Sequence, residues 1–354
     1  MLNESSKILI EFIEKSFLAE LVKEELITDI SYNGLSIFYQ HNDIGRQKSS
    51  LEITSEQVHD FLRHIANLGE KQFSYANPLL DLSFGRYRLN AVHYSLGRYA
   101  NNKTSTFSLR LSSKKPRITL DGSFMPKEVG RLMEILIKNK QSIVIGGPTG
   151  SGKTELQKFL LHLLPKQSRV IIIDNVQELT YASDNDHLDI TSWLVSEHIV
   201  SGSFQELIRN ALRSHPDWLI IAESRGREML DVLNSVMTGH PIITTIHARS
   251  VENIPNRMVR MVLMNGQETK YDEALQDILD HFRYFLYLNK SVDKDGRIMR
   301  FVQTIAEFDS NTQKLITVYD LTKPKEEIAQ LTTYTKALIE KENVVEEIAS
   351  LFKI

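Results

Sequence analysis

The octapeptide Gly147-Pro-Thr-Gly-Ser-Gly-Lys-Thr154 constrains the fold more than any other stretch of the chain. A glycine-rich loop of this spacing holds an anion when a strand delivers it and a helix leaves it. Residues 142–145 read as a short apolar strand, and a helix is expected from Lys153 onward. Gly147, Gly150 and Gly152 let the backbone turn its N–H groups toward a phosphate, and Pro148, Thr149 and Ser151 complete the cradle. The start of the helix adds its positive dipole end. Lys153 is placed to reach the β and γ phosphates of a nucleotide, and Thr154 to bind Mg2+.

The surrounding pattern supplies the architecture. After Pro126, helical segments alternate with short apolar runs at residues 142–145, 169–174, 218–222 and 242–246. Further strands are expected at 282–288 and 300–307. That alternation predicts an α/β domain with a largely parallel sheet. In such sheets ligands sit beyond the carboxyl ends of the strands. Three runs end in polar residues suited to phosphate chemistry. Trp218-Leu-Ile-Ile-Ala-Glu223 ends in a carboxylate that can hold Mg2+ through water or polarise an attacking water. Asp174 and Glu178 follow the 169–174 strand, with helix capping by Asp174 as the plain alternative. His247 ends the run Thr244-Thr-Ile-His, where it can contact a γ phosphate or simply pack.

The N-terminal part reads differently. Leu9, Ile13, Phe17 and Leu21 recur at four-residue steps and predict an amphipathic helix that packs on its own domain, with membrane-surface binding as the alternative. Asn33-Gly34 between apolar runs signals a hairpin. A helix capped by Ser55 is expected over 56–68, and strands over 84–94 and 106–111. Residues 1–112 thus read as an α+β domain, 113–125 as a linker, 126–320 as the α/β domain and 321–354 as a helical tail. The length of 354 residues suits two domains. A net charge of −3 argues against a dedicated DNA binder, and the absence of cysteine excludes disulfides and thiolate chemistry. Glu4, Glu11, Glu14 and Glu20 interrupt the first 26 residues, so no signal peptide is expected there. The expected location is cytoplasmic, peripheral to the cytoplasmic membrane, with membrane association through a partner or a surface.

These pieces, in this order, resemble the type II and type IV secretion ATPase superfamily. The resemblance rests on the P-loop, an acidic box at 174–178, the strand ending Ala222-Glu223-Ser-Arg-Gly226, and a histidine box at 238–248. Asp29-Ile-Ser-Tyr-Asn-Gly34, Asn77-Pro78, Asp81, Gly85-Arg-Tyr-Arg88 and Ser108-Leu-Arg110 extend it into the N-terminal domain, so that it spans residues 25–310. It is closest to the type IV secretion and tight-adherence pilus branch. Three positions depart from the pattern: Asp174-Asn175 replaces Glu-Asp, Ala222 replaces a glycine, and the histidine box is one residue short.

The resemblance implies a RecA-like P-loop domain preceded by a smaller α+β domain, a homohexameric ring, and ATP hydrolysis with Mg2+. It implies that Arg88 and Arg110 are donated to the nucleotide, and that Arg225 bridges domains or subunits. It implies inner-membrane secretion or conjugation channel components as partners. Two other readings stand beside the motor: an ATP-binding assembly scaffold with little turnover, and a RecA-like nucleic-acid translocase. The charge and the lack of basic–aromatic interleaving oppose the last, so no direct nucleic-acid binding is expected.

Overall fold

The computed structural model describes residues 4–113, 118, 122–175, 179, 187–196, 199–266 and 268–354. The chain divides into two compact units, the first built on residues 1–114 and the second on most of the remainder.

In the first unit the elements run α1 (Glu4–Glu14), α2 (Ala19–Lys23), β1 (Ile27–Tyr32), β2 (Ile37–His41), β3 (Gly45–Lys48), α3 (Ser55–Leu68), β4 (Leu79–Phe84), β5 (Tyr87–Val92), a small hairpin of β6 (Arg98–Tyr99) and β7 (Asn102–Lys103), and β8 (Thr106–Leu111). Six of them form an antiparallel sheet in the order β3-β2-β1-β8-β5-β4. Strict alternation builds it: in β4 and β8, Leu80, Leu82, Phe84, Phe107, Leu109 and Leu111 are buried while their neighbours face outward. The buried face packs on α3 and the N-terminal helices through Val58, Phe61, Leu62, Ile65, Leu9 and Ile13.

Three details differ from the sequence expectation. The N-terminal helix breaks into two, because the Ser16 hydroxyl bonds the Ile13 carbonyl and accepts the Leu18 N–H, competing with the helical ladder. The buried set becomes Leu9, Ile13, Leu18 and Val22. The stretch 84–94 is not one strand. Phe84 pairs with Tyr87 across a tight turn in which Gly85 takes a left-handed φ of +53°. The cap of α3 is Thr54, whose hydroxyl accepts from Gln57 N while the Gln57 side chain accepts from Thr54 N.

The second unit contains α4 (Lys127–Lys138), β9 (Ile143–Gly146), α5 (Lys153–His162), β10 (Arg169–Asp174), β11 (Asp189–Leu194), α6 (Phe204–Ala211), β12 (Trp218–Ile221), α7 (Met229–Met237), β13 (Ile242–Ile246), α8 (Asn253–Leu263), α9 (Tyr271–Phe282), β14 (Tyr284–Val292), β15 (Ile298–Asp309), β16 (Lys314–Asp320), α10 (Thr333–Lys341) and α11 (Val345–Ile348). Its sheet has the order β11-β10-β12-β13-β9-β14-β15-β16. β11 through β14 in that order are parallel, and β16 pairs antiparallel with β15. The central strands are buried on both faces, hence the unbroken apolar runs Ile143-Val-Ile and Trp218-Leu-Ile-Ile. Leu219, Ile221, Val232, Met258 and Ile278 belong to the core between the sheet and α7, α8 and α9. The C-terminal helices pack on α4, where Glu342 pairs with Lys138 and Glu347 lies 2.9 Å from Arg131. Their entry is fixed by the buried Glu307, which accepts hydrogen bonds from the Thr332 N–H and from the Thr332 and Thr335 hydroxyls.

Thr54→Ala removes one half of a reciprocal cap and leaves the other unsupported. It should cost about 1 kcal/mol of stability, read as a lower urea midpoint of the first unit's unfolding transition. An unchanged midpoint would mean that the cap bonds contribute nothing.

Candidate nucleotide site

β9, β13, β12 and β10 lie side by side and parallel. Their carboxyl ends therefore open on one side of the sheet, and they carry, in that spatial order, the P-loop, His247, Glu223 and Asp174. The four pieces are scattered along the sequence and become neighbours through strand order alone.

Gly150 and Gly152 take left-handed backbone, with φ of +75° and +96°. A side chain at Gly147 would start only 2.6 Å from the Leu288 carbonyl and from Ser151 Oγ. α5 begins at Lys153, so the loop ends where the first helical N–H groups are unpaired. Lys153 is 8 % exposed. Its ammonium donates to the Gly147 and Pro148 carbonyls at 3.1 Å each and lies 3.4 Å from His247 Nδ1. His247 Nε2 lies 3.1 Å from Glu223 Oε1, and Arg225 Nη2 donates to Glu223 Oε2 at 2.7 Å.

Charge states follow from these contacts. Burial and the Lys153 ammonium hold the His247 imidazole below the ordinary histidine range, with Glu223 opposing them. Nδ1 of this ring faces the Lys153 ammonium and Nε2 faces Glu223, and a backbone hydrogen bond with Gly147 also opposes the lowering. Burial pushes the Glu223 carboxyl up, but the Arg225 hydrogen bond and charge, with His247 and Lys153, bring it below the usual carboxylate range. Arg225 is raised chiefly by its bond to Glu223, with Asp174 among the charges assisting.

Neighbouring side chains hold the ends in place. The Ser224 and Thr244 hydroxyls bond at 2.9 Å, Thr245 Oγ1 donates to the Ala222 carbonyl at 2.8 Å, and Gln157 Nε2 donates to the Ile221 carbonyl at 2.9 Å. Glu228 accepts the Arg225 and Gly226 N–H groups at 2.5 and 2.8 Å, fixing the turn after Glu223.

Two buried polar atoms fit a phosphate ligand with a divalent cation. Ser151 Oγ and Glu223 Oε1 are buried and have no aligned hydrogen-bond partner. Unpaired groups of this kind are costly unless a ligand or water completes them. A hydroxyl can donate to a phosphate oxygen, and a carboxylate oxygen suits a hydrated cation. No cluster of three or more His, Cys, Asp or Glu able to hold a metal occurs among the described residues. Mg2+ needs only one or two protein groups, with water and the phosphates themselves completing its shell. Thr154, half-buried in the first turn of α5, and Glu223 are the residues that would hold it.

The other expected residues fall as follows. Asp174 is fully buried at the end of β10. Glu178 lies outside the described residues. Arg88 and Arg110 belong to the first unit, where they are cross-strand neighbours on β5 and β8. Arg88 Nη2 is 3.2 Å from Asp81 Oδ2, the acid pairing that composition alone makes ordinary, and Arg110 is exposed and opposite Asp29. Two residues escaped the sequence reading. Lys290 Nζ donates to the Thr149 carbonyl at 3.0 Å, and Arg300 Nε to the Gly150 carbonyl at 2.8 Å. Lone basic residues at strand ends carry no motif.

The family described as Type II/IV secretion system protein matches residues 101–345. The chain belongs to that family. Among curated relatives, an uncharacterised protein of Bacillus anthracis is 28 % identical over 313 residues, covering 84 % of this chain and 69 % of that one. The type IV secretion system protein VirB11 of Brucella suis is 36 % identical over 147 residues, covering 40 % of this chain. That match spans 41 % of VirB11's own length. Among solved structures, the Legionella pneumophila ATPase DotB superposes with a TM-score of 0.65 at 19 % identity, covering 98 % of this chain and 96 % of DotB. The fold of the family, a RecA-like P-loop domain preceded by a smaller α+β domain, is thereby established, as the sequence resemblance implied.

The contacts around His247 give a two-sided test. At neutral pH the ring is neutral, and its contribution to stability is fully present above the free-histidine pKa of about 6.5 and lost as pH falls through the lower folded value. Lys153→Ala should raise the His247 midpoint, and Glu223→Gln should lower it further, as followed by NMR titration of the ring. Shifts in the same direction in both variants would contradict the contacts.

Proposed function

We propose that the chain is a hexameric ATPase that hydrolyses ATP to power a type IV secretion, conjugation or pilus machine at the cytoplasmic face of a membrane. The observation that carries this reading is the row Lys153–His247–Glu223, set beside the loop at the carboxyl ends of three adjacent parallel strands. In this reading the loop amides and Lys153 take the β and γ phosphates. Bound Mg2+ neutralises charge on those phosphates. Glu223, kept anionic by Arg225, polarises the attacking water. His247, neutral and between Lys153 and Glu223, is the residue whose contacts change with the γ phosphate. Asp174, one methylene shorter than the family's glutamate, acts through water together with Glu178.

Relatives support the setting. VirB11 is a type IV secretion system protein and DotB an ATPase by their descriptions. No described helix is long and apolar enough to cross a membrane. Membrane association is therefore assigned to channel partners. Arg88 and Arg110 are assigned to the nucleotide in the closed state, an arginine fork being suited to phosphate oxygens and withdrawable when domains part. The replacement of the acidic-box pair by Asp174-Asn175 favours one alternative, a scaffold that binds ATP and turns it over slowly. Steady-state turnover of the purified ring separates the two.

Lys153→Ala should abolish turnover and weaken nucleotide binding. Glu223→Gln should retain nucleotide and slow hydrolysis by about 10²–10⁴-fold, the usual size of an acid–base contribution. Hydrolysis within twofold of wild type in Glu223→Gln would remove Glu223 from the chemistry. A monomer in every nucleotide state, by light scattering, would remove the ring.

A further inference from the structure

The carbonyls of the P-loop are held by three cationic side chains. Lys153 takes those of Gly147 and Pro148. The next two are taken from outside the loop, Thr149 O by Lys290 and Gly150 O by Arg300. Lys290 stands near the end of β14 and Arg300 near the start of β15, and these strands are neighbours in the sheet. β14 also pairs directly with β9, the strand that delivers the loop. Phe124 closes the same side. Its carbonyl accepts Val302 N–H on β15 at 2.9 Å, and its ring lies 3.1 Å from where a Cβ of Gly152 would sit.

The geometry of a peptide plane gives these contacts a consequence. In a trans peptide the C=O and the following N–H point in opposite directions. Fixing Thr149 O on Lys290 therefore aims the Gly150 N–H away from Lys290. Fixing Gly150 O on Arg300 does the same for the Ser151 N–H, which otherwise closes only a long 3.3 Å turn onto Pro148 O. A glycine-containing loop without such anchors can flip these planes and present carbonyls to an anion.

We propose that Lys290 and Arg300 are positioning residues for nucleotide: from the outer side they fix the Thr149–Gly150 and Gly150–Ser151 peptide planes so that the amides, not the carbonyls, face the phosphates. The inference rests on the nucleotide reading of the P-loop. Neither side chain touches the reacting atoms. Both act through the loop backbone, so they set affinity and leave the chemical step alone.

The test uses the full chain, MgADP in calorimetry, and steady-state ATP hydrolysis. Lys290→Met and Arg300→Met keep an apolar stem and remove the donor. Each should weaken MgADP and raise KM by about tenfold, the ordinary worth of one charge-assisted hydrogen bond, with kcat within about twofold of wild type. Lys290→Arg should restore affinity. Hydrogen exchange of a peptide spanning residues 147–153 should quicken in the nucleotide-free Met variants. Unchanged MgADP affinity in both Met variants, with wild type binding normally, overturns the inference. So does a fall in kcat at unchanged KM. Failure of the wild-type chain to bind MgADP overturns the nucleotide reading itself. If Arg300→Met lowers the thermal midpoint without nucleotide, the exposed Lys290 carries the test through Lys290→Met and Lys290→Arg.

Discussion

An ammonium group taken almost wholly out of water sets the state of everything around it. Lys153 is nearly buried, and its charge must be met by oriented oxygens and nitrogens instead of solvent. Two loop carbonyls turn toward it, which bends the loop into its cradle. Burial, together with that charge, holds His247 below the ordinary histidine range. The far side of the ring faces Glu223, whose carboxyl burial pushes up and the Arg225 hydrogen bond and charge bring below the usual carboxylate range. Lysine, histidine, carboxylate and arginine thus form one electrostatically linked series. Removing the first member alters the protonation of the second and, through it, the environment of the third.

Such a series needs its members delivered to fractions of an ångström, and the parallel sheet does that. Register between adjacent strands ties Gly146 to Ile246 and Thr244 to Ile221. Hydroxyl and amide bonds from Thr244, Thr245 and Gln157 then bind the strand ends to one another just below the polar residues. Strands thus support His247, Glu223 and Asp174, while the P-loop is held between the end of β9 and the start of α5.

Much of this was legible from the residues. The P-loop, the apolar runs and their polar last residues predicted an α/β sheet with a phosphate site at its carboxyl edge, since both signals are local: glycine spacing and short buried strands. What escaped was set by single competing hydrogen bonds or by tertiary context. Ser16 splits a helix whose apolar spacing looked continuous, and Gly85 turns one expected strand into a hairpin. Thr54, not Ser55, caps α3, a one-residue distinction that only the bond to Gln57 decides. β11 was not expected either: it is an outermost strand of the sheet, and none of its residues is fully buried. Lys290 and Arg300 reach the loop from β14 and β15, on the side of β9 opposite β13, a relation with no trace in sequence spacing.

The place of β13 in the sheet bears on how the molecule comes into being. Chain order gives β9, β10, β12, β13, but β13 lies between β12 and β9. β12, which carries Glu223, is joined to β9, which carries the P-loop, only through the β13–β9 pairing. The pairing spans about a hundred residues of chain, and parallel contacts of such separation form slowly because loop closure precedes any reward. The loop and Glu223 therefore come to one edge only through a pairing of long sequence separation. Ligand that binds only the closed sheet deepens the native well without assisting the search for it.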